Sequence, residues 1–511
     1  MQDAYTGTQI REAERPLLEA GEGPHLMARA AHGLFARIRE LTESARNADP
    51  AGEVRVSGLV GKGNNGADTL FALAEAARSG LSTTAILAFS AAHPEALADF
   101  EAAGGDVLEL RADTLERAVA ACESSEIVVD GVLGTGARGG LDGIIADLVR
   151  ALRHEGEPQD SRAFTVIACD LPSGIDADSG EVTPPVLRAD HTVTFGAHKL
   201  GLWVDPGAAH AGTVSVVDIG LDMSVPAGYQ AAVSVRSADL AHAFDEPART
   251  DNKYTYGVLE LMAGSEKYPG AGILCTGAAL ATGVGMLCYN GPETVGRMVV
   301  QAHPETVLGP AKKSPHALVV GPGVDFDIAE TRALAIEAIA RARSIVLDAG
   351  AIELFSDVPE PQRVNTILTP HAGELARLMS ARSGQDVSAH GVMTRPLYWV
   401  RKAMELTGTA VLLKGFTTIV ASPESPWVAV QESATARLAT AGSGDVQAGI
   451  MGALSARDQL PSPLTRAALA SRLHSDAAFI ASANNRVPIG ASDLIPAIRE
   501  AILAASELAS D

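Results

Sequence analysis

A cluster of polar side chains follows the first strongly apolar segment of the chain. The segment VRVSGLV at residues 54–60 leads into GKGNNGAD, which places Asn64, Asn65 and Asp68 at a predicted strand-to-helix turn. The glycine spacing fits the G-x-G-x-x-G pattern of dinucleotide sites, but the next strand ends in FSAA at residues 89–92, without the acid that holds a ribose. A dehydrogenase is therefore disfavoured. The amides and the carboxylate predict a polar ligand site, unless the asparagines adopt left-handed geometry and Asp68 caps the helix.

Two further predicted strands end in carboxylates. Asp130 ends IVVD and leads into the glycine-rich GVLGTGARGG, and Asp170 ends FTVIACD and leads into LPSGID. In a parallel sheet these ends share one edge, so we expect the two carboxylates to lie close together and to share a proton or recruit a cation. Asn65 and the Ser173 hydroxyl would complete a shell of oxygen ligands for a hard metal ion. Each aspartate alone could equally be a turn residue or a helix cap.

The second half of the chain contains a candidate phosphate site. The segment AGSGD at residues 441–445 precedes a helical pattern, and free N–H groups at a helix start favour an anion. A carboxylate beside a phosphate is costly unless it moves a proton, which makes Asp445 a candidate general base, although it could also be a simple cap. Lys414 follows the apolar AVLL and precedes Gly415 and hydroxyl residues, so it can bind phosphate oxygens.

Other predicted strand ends in this half carry tight loops. The segment LTPHAGEL predicts a helix with Thr369 as its cap and Pro370 at its first position, which leaves His371 projecting from the strand-end edge. Gly-Pro-Gly at residues 321–323 follows ALVV, and Asp-Ala-Gly at residues 348–350 follows SIVL.

Short apolar segments alternate with helical patterns in both halves, which is typical of parallel sheets covered by helices on both faces. Such sheets bind ligands beyond the carboxyl ends of their strands. We predict two α/β domains, 1–225 and 240–511, joined by a linker at about 222–240. The predicted strands, of which the last two form a hairpin, lie at residues 54–60, 83–89, 127–130, 164–170, 191–195, 214–218, 258–262, 317–320, 344–348, 366–369, 410–414, 417–421 and 427–431.

Composition excludes several classes of function. The 511 residues carry a net charge of −22, which disfavours nucleic-acid binding, and the four cysteines form no CxxC pair typical of zinc sites. No charge occurs in residues 268–292, but the segment is rich in Gly, Ala and Thr, so we expect a buried helix rather than a membrane span. The N-terminal segment has no apolar core typical of a signal peptide. We expect a reduced, cytoplasmic protein without a membrane partner, and its Ala-rich helices are compatible with the homo-oligomer that we expect.

Four motifs in the first half together resemble the YjeF N-terminal domain, the NAD(P)H-hydrate epimerase family. They are GKGNNGAD, VDGVLGTG, DLPSGIDADSG and TFGAHKLGL, and the resemblance covers most of residues 50–220. It implies a Rossmann-like sandwich that binds the hydrates NADHX and NADPHX, a potassium ion held by Asn65, Asp130 and Ser173, and Asp170 as the acid/base group. The implied hydrate-binding residues are Asn64, Asn65, Gly66, Ala67, Asp68, Gly134, Thr135, Gly136, Ala137, Arg138, Gly139, Gly140 and Asp170.

Six motifs in the second half resemble the YjeF C-terminal domain, the NAD(P)H-hydrate dehydratase family of ribokinase-like fold. Within residues 255–455 they are, in order, AGSEKYPGA, VVGPGV, VLDAGAI, LTPHAGEL, VLLKGFTTIV and LATAGSGDVQAG. The resemblance implies dehydration of the S hydrate at the expense of ADP or ATP, with magnesium on the nucleotide and Asp445 activating the hydroxyl. The implied nucleotide-binding residues are Lys414, Gly415, Phe416, Thr417, Thr418 and Gly444; the implied hydrate-binding residues are Ala271, Gly323, His371 and Asp445.

Both resemblances together predict a bifunctional enzyme that repairs hydrated nicotinamide nucleotides. A ribokinase-like kinase for a vitamin-precursor alcohol is the first alternative, and the attached first domain argues against it. A non-catalytic nucleotide sensor is the second, and the presence of both Asp170 and Asp445 argues against it.

Overall fold

A computed structural model describes residues 1–48, 53–153, 162–224, 231–244, 246–460 and 462–509. The chain divides into an N-terminal unit, Ala4–Ala231, and a C-terminal unit, which comprises Ala232–Asp511 and Met1–Asp3. Each unit is an α/β domain built on its own largely parallel sheet. Among the described residues, no helix is both long and apolar enough to cross a bilayer.

The N-terminal half contains nine strands and seven α-helices in its described part. In chain order they are β1 (Gln2–Tyr5), α1 (Gly7–Glu19), α2 (Gly23–Ala48), β2 (Arg55–Val60), α3 (Asn64–Arg78), β3 (Ser82–Leu87), α4 (Pro94–Ala102), β4 (Asp106–Glu109), α5 (Leu115–Glu123), β5 (Ile127–Gly131), α6 (Gly143–Leu152), β6 (Thr165–Cys169), β7 (His191–Phe195), β8 (His198–Lys199), α7 (Ala208–Ala211) and β9 (Thr213–Val217).

Seven of these strands form a parallel sheet in the order β4-β3-β2-β5-β6-β7-β9. Alternate residues point into separate apolar clusters: Val128 and Val166 join one cluster, whereas Val129 and Ile167 join the other, so helices cover both faces. Within this sheet the chain forms β2 first, adds β3 and β4 on one side of it, and then returns to add β5 on the other side of β2. This reversal between β2 and β5 opens a crevice at their carboxyl ends, where ligands bind in open α/β sheets.

The C-terminal unit follows the same principle with more elements. They are β10 (Ala232–Ser234), α8 (Ser237–Leu240), β11 (Val258–Met262), α9 (Pro269–Thr282), β12 (Met286–Tyr289), α10 (Glu293–Ala302), β13 (Val307–Leu308), β14 (Ala317–Val320), α11 (Ala329–Arg341), β15 (Ser344–Leu347), a 3-10 helix (Ala349–Asp357), α12 (Glu360–Arg363), β16 (Thr366–Leu368), α13 (Ala372–Ser383), α14 (Ala389–Thr394), α15 (Pro396–Thr407), β17 (Ala410–Leu413), β18 (Thr417–Ala421), β19 (Val428–Glu432), α16 (Ser443–Ser455), α17 (Pro463–Ala481) and α18 (Leu494–Leu508).

Its strands run in the order β13-β12-β11-β14-β15-β16-β17-β18-β19-β10. All neighbours are parallel except the pairs β17–β18 and β18–β19, so the predicted hairpin is present. The strand order reverses between β11 and β14, which again places a crevice at their carboxyl ends.

The structure corrects the predicted linker and confirms that the uncharged segment contains a helix. The predicted linker at 222–240 instead contains β10, which pairs with β19, and α8; the alternating AAVSV provides this strand, and residues 225–230 lie outside the described part. The uncharged residues 268–292 form α9 and β12. Their small side chains allow α9 to pack closely on α16. At this contact a Cβ on Gly449 of α16 would lie only 2.3 Å from the carbonyl oxygen of Cys275 in α9.

An ion pair with a buried carboxylate joins β11 of the C-terminal sheet to α11. Glu260 on β11 is fully buried, and its carboxylate accepts hydrogen bonds from Asn290 Nδ2, from the Ala311 N–H and from Arg341 Nη2. The Arg341 distances are 3.0 and 3.1 Å, one to each oxygen. A buried carboxylate without its cation is strongly destabilising, so this pair ties α11 to the sheet.

Replacing the arginine should therefore destabilise the C-terminal unit. We expect Arg341→Met to lower its free energy of unfolding by about 3 kcal/mol, because the Glu260 charge would remain buried without a cation. Calorimetric unfolding of the full chain measures this. Arg297→Met is the matched control, since its ion pair with Glu293 is exposed and should contribute less than about 1 kcal/mol. Equal effects of the two variants would contradict the assignment.

Candidate active sites

The asparagine turn lies at the start of α3, directly beyond β2. Both asparagines are helical residues, neither has a positive φ, and the helix is capped by the Gly63 backbone without a side-chain bond, so the two structural alternatives do not hold. Asn64 is exposed and Asn65 is half-buried, whereas Ala67 packs its methyl group into the apolar core. A Cβ on Gly66 would lie 2.0 Å from the Gly61 carbonyl oxygen, so the turn requires glycine there.

Three strand-end loops converge on Leu133, as the sequence predicted for Asn65, Asp130 and Ser173. Asn65 Nδ2 donates to the Leu133 carbonyl over 3.0 Å, and the Leu133 N–H donates to Ser173 Oγ over 2.9 Å. Ser173 in turn donates from Oγ and from its N–H to the two oxygens of Asp130, over 2.6 and 2.8 Å. Asp130 is 1% exposed and makes no ion pair with the described residues, and burial raises the pKa of its carboxyl.

The Asp170 carboxylate accepts hydrogen bonds from a separate set of donors. One oxygen accepts from the Thr135 N–H and from Thr135 Oγ1, at 3.0 and 2.5 Å, and the other accepts from Thr194 Oγ1 and from Lys199 Nζ, at 3.1 and 2.6 Å. Burial opposes ionisation of this carboxyl, but the Lys199 charge and these hydrogen bonds hold its pKa below the usual value. Asp170 also has a φ of 67°, which turns the chain sharply after β6.

Asp130 and Asp170 do not hydrogen-bond to each other in the described part of the structure, whereas a cation recruited by these carboxylates stays a prediction. Each carboxylate has separate partners, Ser173 for one and Lys199 for the other, and neither contributes to the pKa shift of the other. The sequence could not show this because Lys199 comes from β8, 29 positions downstream of Asp170. The only signal was the motif TFGAHKLGL, which contains both Thr194 and Lys199.

The loop at residues 134–140 forms the second wall of this site. Gly134 lies against Asn65, where a Cβ would be 3.0 Å from the amide carbon. The next five residues line two neighbouring cavities, of about 170 and 390 Å³, together with residues 174–183. Gly140 packs on Thr183. The lining residues on this loop are Thr135, Gly136, Ala137, Arg138 and Gly139.

The C-terminal unit contains a larger cavity of about 570 Å³ at the β17–β18 turn and the start of α16. Five of the six predicted nucleotide-binding residues line it: Lys414, Gly415, Phe416, Thr418 and Gly444. Thr417 does not, because strand alternation points its buried hydroxyl to the other side, where it has no hydrogen-bond partner. His474 and Ser471 of α17, which the sequence did not single out, also line the cavity.

A network of one lysine and three carboxylates lies beside this cavity. Lys414 Nζ is 2.6 Å from Asp348 Oδ1 and 3.9 Å from Glu374 Oε2. Burial opposes the charge of Lys414, but these two carboxylates raise its pKa. For Asp445, burial and the Asp348 charge together raise the pKa to about 6, against the lowering effect of Lys414.

The start of α16 leaves backbone donors free. Gly442 precedes the helix with a φ of 89°, and the N–H groups of Gly444 and Asp445 make no hydrogen bond with the described residues. A Cβ on Gly444 would lie 3.7 Å from Lys414 Nζ, so the lysine and the helix start face the same space. Free N–H groups, a helix dipole and an ammonium group together suit a phosphate.

The predicted hydrate-binding residues occupy neighbouring loops. Gly323 has a φ of 65° and lies against Ala271, where a Cβ would approach the alanine methyl to 2.6 Å. His371 lines the cavity but also caps α13, since Nδ1 accepts from the N–H groups of Gly373 and Glu374. The predicted cap, Thr369, instead donates to Asp348 over 2.8 Å, and the helix starts at Ala372, two residues later than predicted.

Comparison with known proteins shows which family has this pair of sites. A family model described as NAD(P)H-hydrate dehydratase matches residues 259–500, and one described as YjeF-related protein N-terminus matches residues 23–201. The bifunctional NAD(P)H-hydrate repair enzyme of Mycobacterium leprae strain TN is 36% identical over 520 residues, covering 99% of this chain and 100% of that protein. The chain belongs to the bifunctional NAD(P)H-hydrate repair enzyme family.

Other proteins resemble one or both units. The bifunctional NAD(P)H-hydrate repair enzyme of Mycobacterium tuberculosis strain H37Rv is 37% identical over 463 residues, which is 89% of each chain. An NAD(P)H-hydrate epimerase of Clavibacter michiganensis is 44% identical over 231 residues, covering 43% of this chain and 92% of that one. A Bacillus subtilis ADP/ATP-dependent NAD(P)H-hydrate dehydratase, co-crystallized with ATP and Mg²⁺, is 22% identical with a TM-score of 0.45 and covers 53% of this chain and 97% of that chain.

The ion pair between Lys199 and Asp170 generates a pH-dependent prediction. In the native protein the pKa of Asp170 is lowered, so the pair stabilises the fold at neutral pH and loses that effect as the pH falls through the folded pKa. We expect Lys199→Met to destabilise the N-terminal unit at pH 8 by about 3–5 kcal/mol, because a buried charge is left unpaired. The loss should shrink towards pH 5, since the carboxyl can then take up a proton.

Thermal unfolding of both proteins at pH 8 and pH 5 measures this loss. Lys62→Met, which alters an exposed lysine of the same unit, is the control and should leave unfolding nearly unchanged at both pH values. A deficit in Lys199→Met that grew on acidification would contradict the assignment.

Proposed function

We propose that this protein repairs hydrated NADH and NADPH by two activities: its N-terminal unit interconverts the R and S epimers, and its C-terminal unit dehydrates the S epimer at the expense of ADP. The observation that carries this proposal is the presence of two separate built sites beyond the carboxyl ends of strands: one lies between β2 and β5 of the N-terminal sheet, and the other lies at the β17–β18 turn and the start of α16. Membership of the bifunctional family supports it. A cytoplasmic location and a homo-oligomeric state stay predictions from the sequence.

In the N-terminal unit the hydrate would bind between the asparagine turn and the loop at residues 134–140. Asn64, Asn65 and Asp68 offer polar side chains on one wall, and the glycine-rich loop offers backbone groups on the other. Asp170 and Lys199 lie at the base of this region. With all its lone pairs engaged by donors, Asp170 is suited to hold Lys199 and Thr135 in place rather than to accept a proton.

The donor set around Asp130 fits a potassium ion. Its oxygens are hard ligands, and Asp130 is a buried carboxylate without a cationic partner among the described residues. Asn65, Asp130 and Ser173 would hold the ion. A bound potassium ion would supply positive charge beneath the ligand, while Asn65 and Ser173 also fix the loop through Leu133.

In the C-terminal unit the cavity suits an adenine nucleotide whose terminal phosphate lies at the start of α16. Asp445 would remove the proton from the hydroxyl of the hydrate, whose oxygen attacks the terminal phosphorus of ADP, and AMP leaves with the electrons of the broken P–O bond. The phosphate ester then loses phosphate together with a proton from the adjacent ring carbon, which restores the C=C bond of the reduced nicotinamide. Gly444 and Lys414 would hold the transferred phosphate.

The surplus of carboxylates fits a magnesium ion on the nucleotide. Lys414 Nζ lies 2.6 Å from Asp348 and 3.9 Å from Glu374, so one ammonium group serves these two carboxylates and also faces Asp445. Glu374 is available to hold the metal directly or through water, and a magnesium ion there would neutralise phosphate charge.

The direct experiment supplies the purified full chain with a mixture of both hydrate epimers. Addition of ADP, and separately of ATP, should restore the absorbance of the reduced nicotinamide to the full amount of hydrate present. A stable phosphorylated product would instead favour the small-molecule kinase, and nucleotide binding without turnover would favour the sensor. Recovery of only half the absorbance would remove the epimerase from the proposal.

Substitution of Asp445 tests the dehydratase base. We expect Asp445→Asn to lower kcat for the S epimer by about 100-fold or more, because the hydroxyl loses its proton acceptor, while the Kd for ADP changes less than threefold. Asp458→Asn, an exposed aspartate of the same unit, is the control and should keep wild-type rates. Unchanged turnover in Asp445→Asn would refute this role.

The pKa of Asp445 sets a pH dependence for the same reaction. The base must be ionised, and its pKa is about 6, so kcat should be constant above pH 7 and fall progressively below pH 6. Stopped assays of S-epimer dehydration at saturating ADP between pH 5 and pH 8 measure this. A rate that does not change over this range would show that another group accepts the proton.

A further inference from the structure

An N-terminal arm, residues 4–19, packs on the epimerase site although it precedes the residues 23–201 that match the family model. In its strand part, Tyr5 pairs with Lys199 in parallel register. In its helical part, the Gly7 N–H donates to Asp178 Oδ1 over 2.6 Å, and Arg11 Nη1 donates to the Thr135 carbonyl over 3.3 Å. The arm therefore contacts both residues that hold Asp170, the lysine on one side and the threonine on the other.

The side chains of α1 that face this site recur at helical spacing. Gly7 is so close to the loop that a Cβ would lie 2.6 Å from the Thr135 methyl group, and Arg11 lines the 170 Å³ cavity one turn later. Glu14, seven residues after Gly7, comes next on the same face. Lys199, Asp170 and Arg11 are the charges that act on it, and Glu14 in turn acts on Asp68.

Glu14 and Asp68 differ from Asp170 in their bonding. Asp170 has four donors on its two oxygens, which is the full capacity of a carboxylate. Glu14 is half-buried and Asp68 is 8% exposed, yet neither makes a hydrogen bond or an ion pair with the described residues. Burial raises the pKa of both carboxyls; the Asp170 charge adds to this effect, and the Lys199 charge opposes it.

We propose that Glu14 is a catalytic acid/base group of the epimerase and works as a pair with Asp68, while Asp170 is a fixed anion. This inference rests on the epimerase activity proposed above and names the groups that move its protons. Glu14 lies on the helix of the arm and Asp68 lies on α3, so in this proposal two separate elements each supply one carboxyl. Inversion of a carbon centre needs two such groups, one for the departing group and one for the arriving group.

The chemistry requires one proton between the pair. Water added to the enamine of a reduced nicotinamide leaves a hydroxyl on the carbon bonded to the ring nitrogen. The protonated Glu14 gives its proton to this hydroxyl, the C–O bond breaks and water leaves, while the nitrogen lone pair forms a C=N⁺ bond. Water then adds to the other face, the C=N electrons return to nitrogen, and Asp68 takes the surplus proton. The reverse reaction exchanges the two roles.

The test compares Glu14→Gln, Glu14→Asp and the wild type as full chains. With background conversion subtracted, we expect Glu14→Gln to lower kcat for R-to-S conversion by about 100-fold with KM within threefold, and Glu14→Asp to recover at least a tenth of the wild-type rate. Dehydration of pure S epimer in the same preparations should be unchanged, which reports that the chain is folded. Glu19→Gln, an exposed glutamate at the end of α1, should match the wild type.

The outcomes separate this inference from the activity on which it rests. A wild type that does not interconvert the epimers overturns both. An active wild type whose Glu14→Gln variant keeps at least half of kcat overturns the role of Glu14 alone, as does a variant in which only KM changes. In ¹⁸O-labelled water the wild type should incorporate label into the hydroxyl as fast as it epimerises; epimerisation without incorporation overturns the stated chemistry.

Discussion

In each unit, a lysine reaches from one strand to an aspartate that follows another, and the two charged atoms lie 2.6 Å apart. Lys199 holds Asp170 in the N-terminal unit, and Lys414 holds Asp348 in the C-terminal unit. Burying a carboxylate is costly unless a cation and hydrogen-bond donors accompany it, so each pair fixes how the strand-end loops meet. The candidate ligand sites lie beside these pairs, beyond the carboxyl ends of the strands.

The two sites differ in which carboxylates form no close ion pair with the lysine of their unit. In the N-terminal unit the lysine lowers the pKa of Asp170, and Glu14, Asp68 and Asp130 make no ion pair with the described residues. In the C-terminal unit the lysine is shared with Glu374, and Asp445 keeps a raised pKa at the start of a helix. The first arrangement suits proton exchange on a ligand, and the second suits a base beside a phosphate.

Glycine and alanine residues allow backbone segments around both sites to approach each other closely. Gly66 and Gly134 allow the asparagine turn and the opposite loop to meet, and Gly449 allows α16 to pack on α9. A chain with only 4% aromatic residues must fill its cores with small side chains, and it does so by bringing backbones together. The same close packing explains the long uncharged segment before Pro292 without any membrane.

The sequence by itself determined the two α/β units, most central strands and the loops that carry Asn65, Asp130, Ser173, Lys414 and Asp445. These follow from local patterns, since buried strands need apolar segments and their ends need glycines and polar side chains. It missed the short strands β1, β4, β8, β10, β12 and β13, whose four or fewer residues carry too little pattern. Only the tertiary structure decided which charges pair. Lys199 binds Asp170, Thr369 bonds Asp348 rather than capping a helix, and the Glu14 charge acts on Asp68, which lies on a different helix. Such pairings depend on distances across the fold, which residue spacing along the chain does not fix.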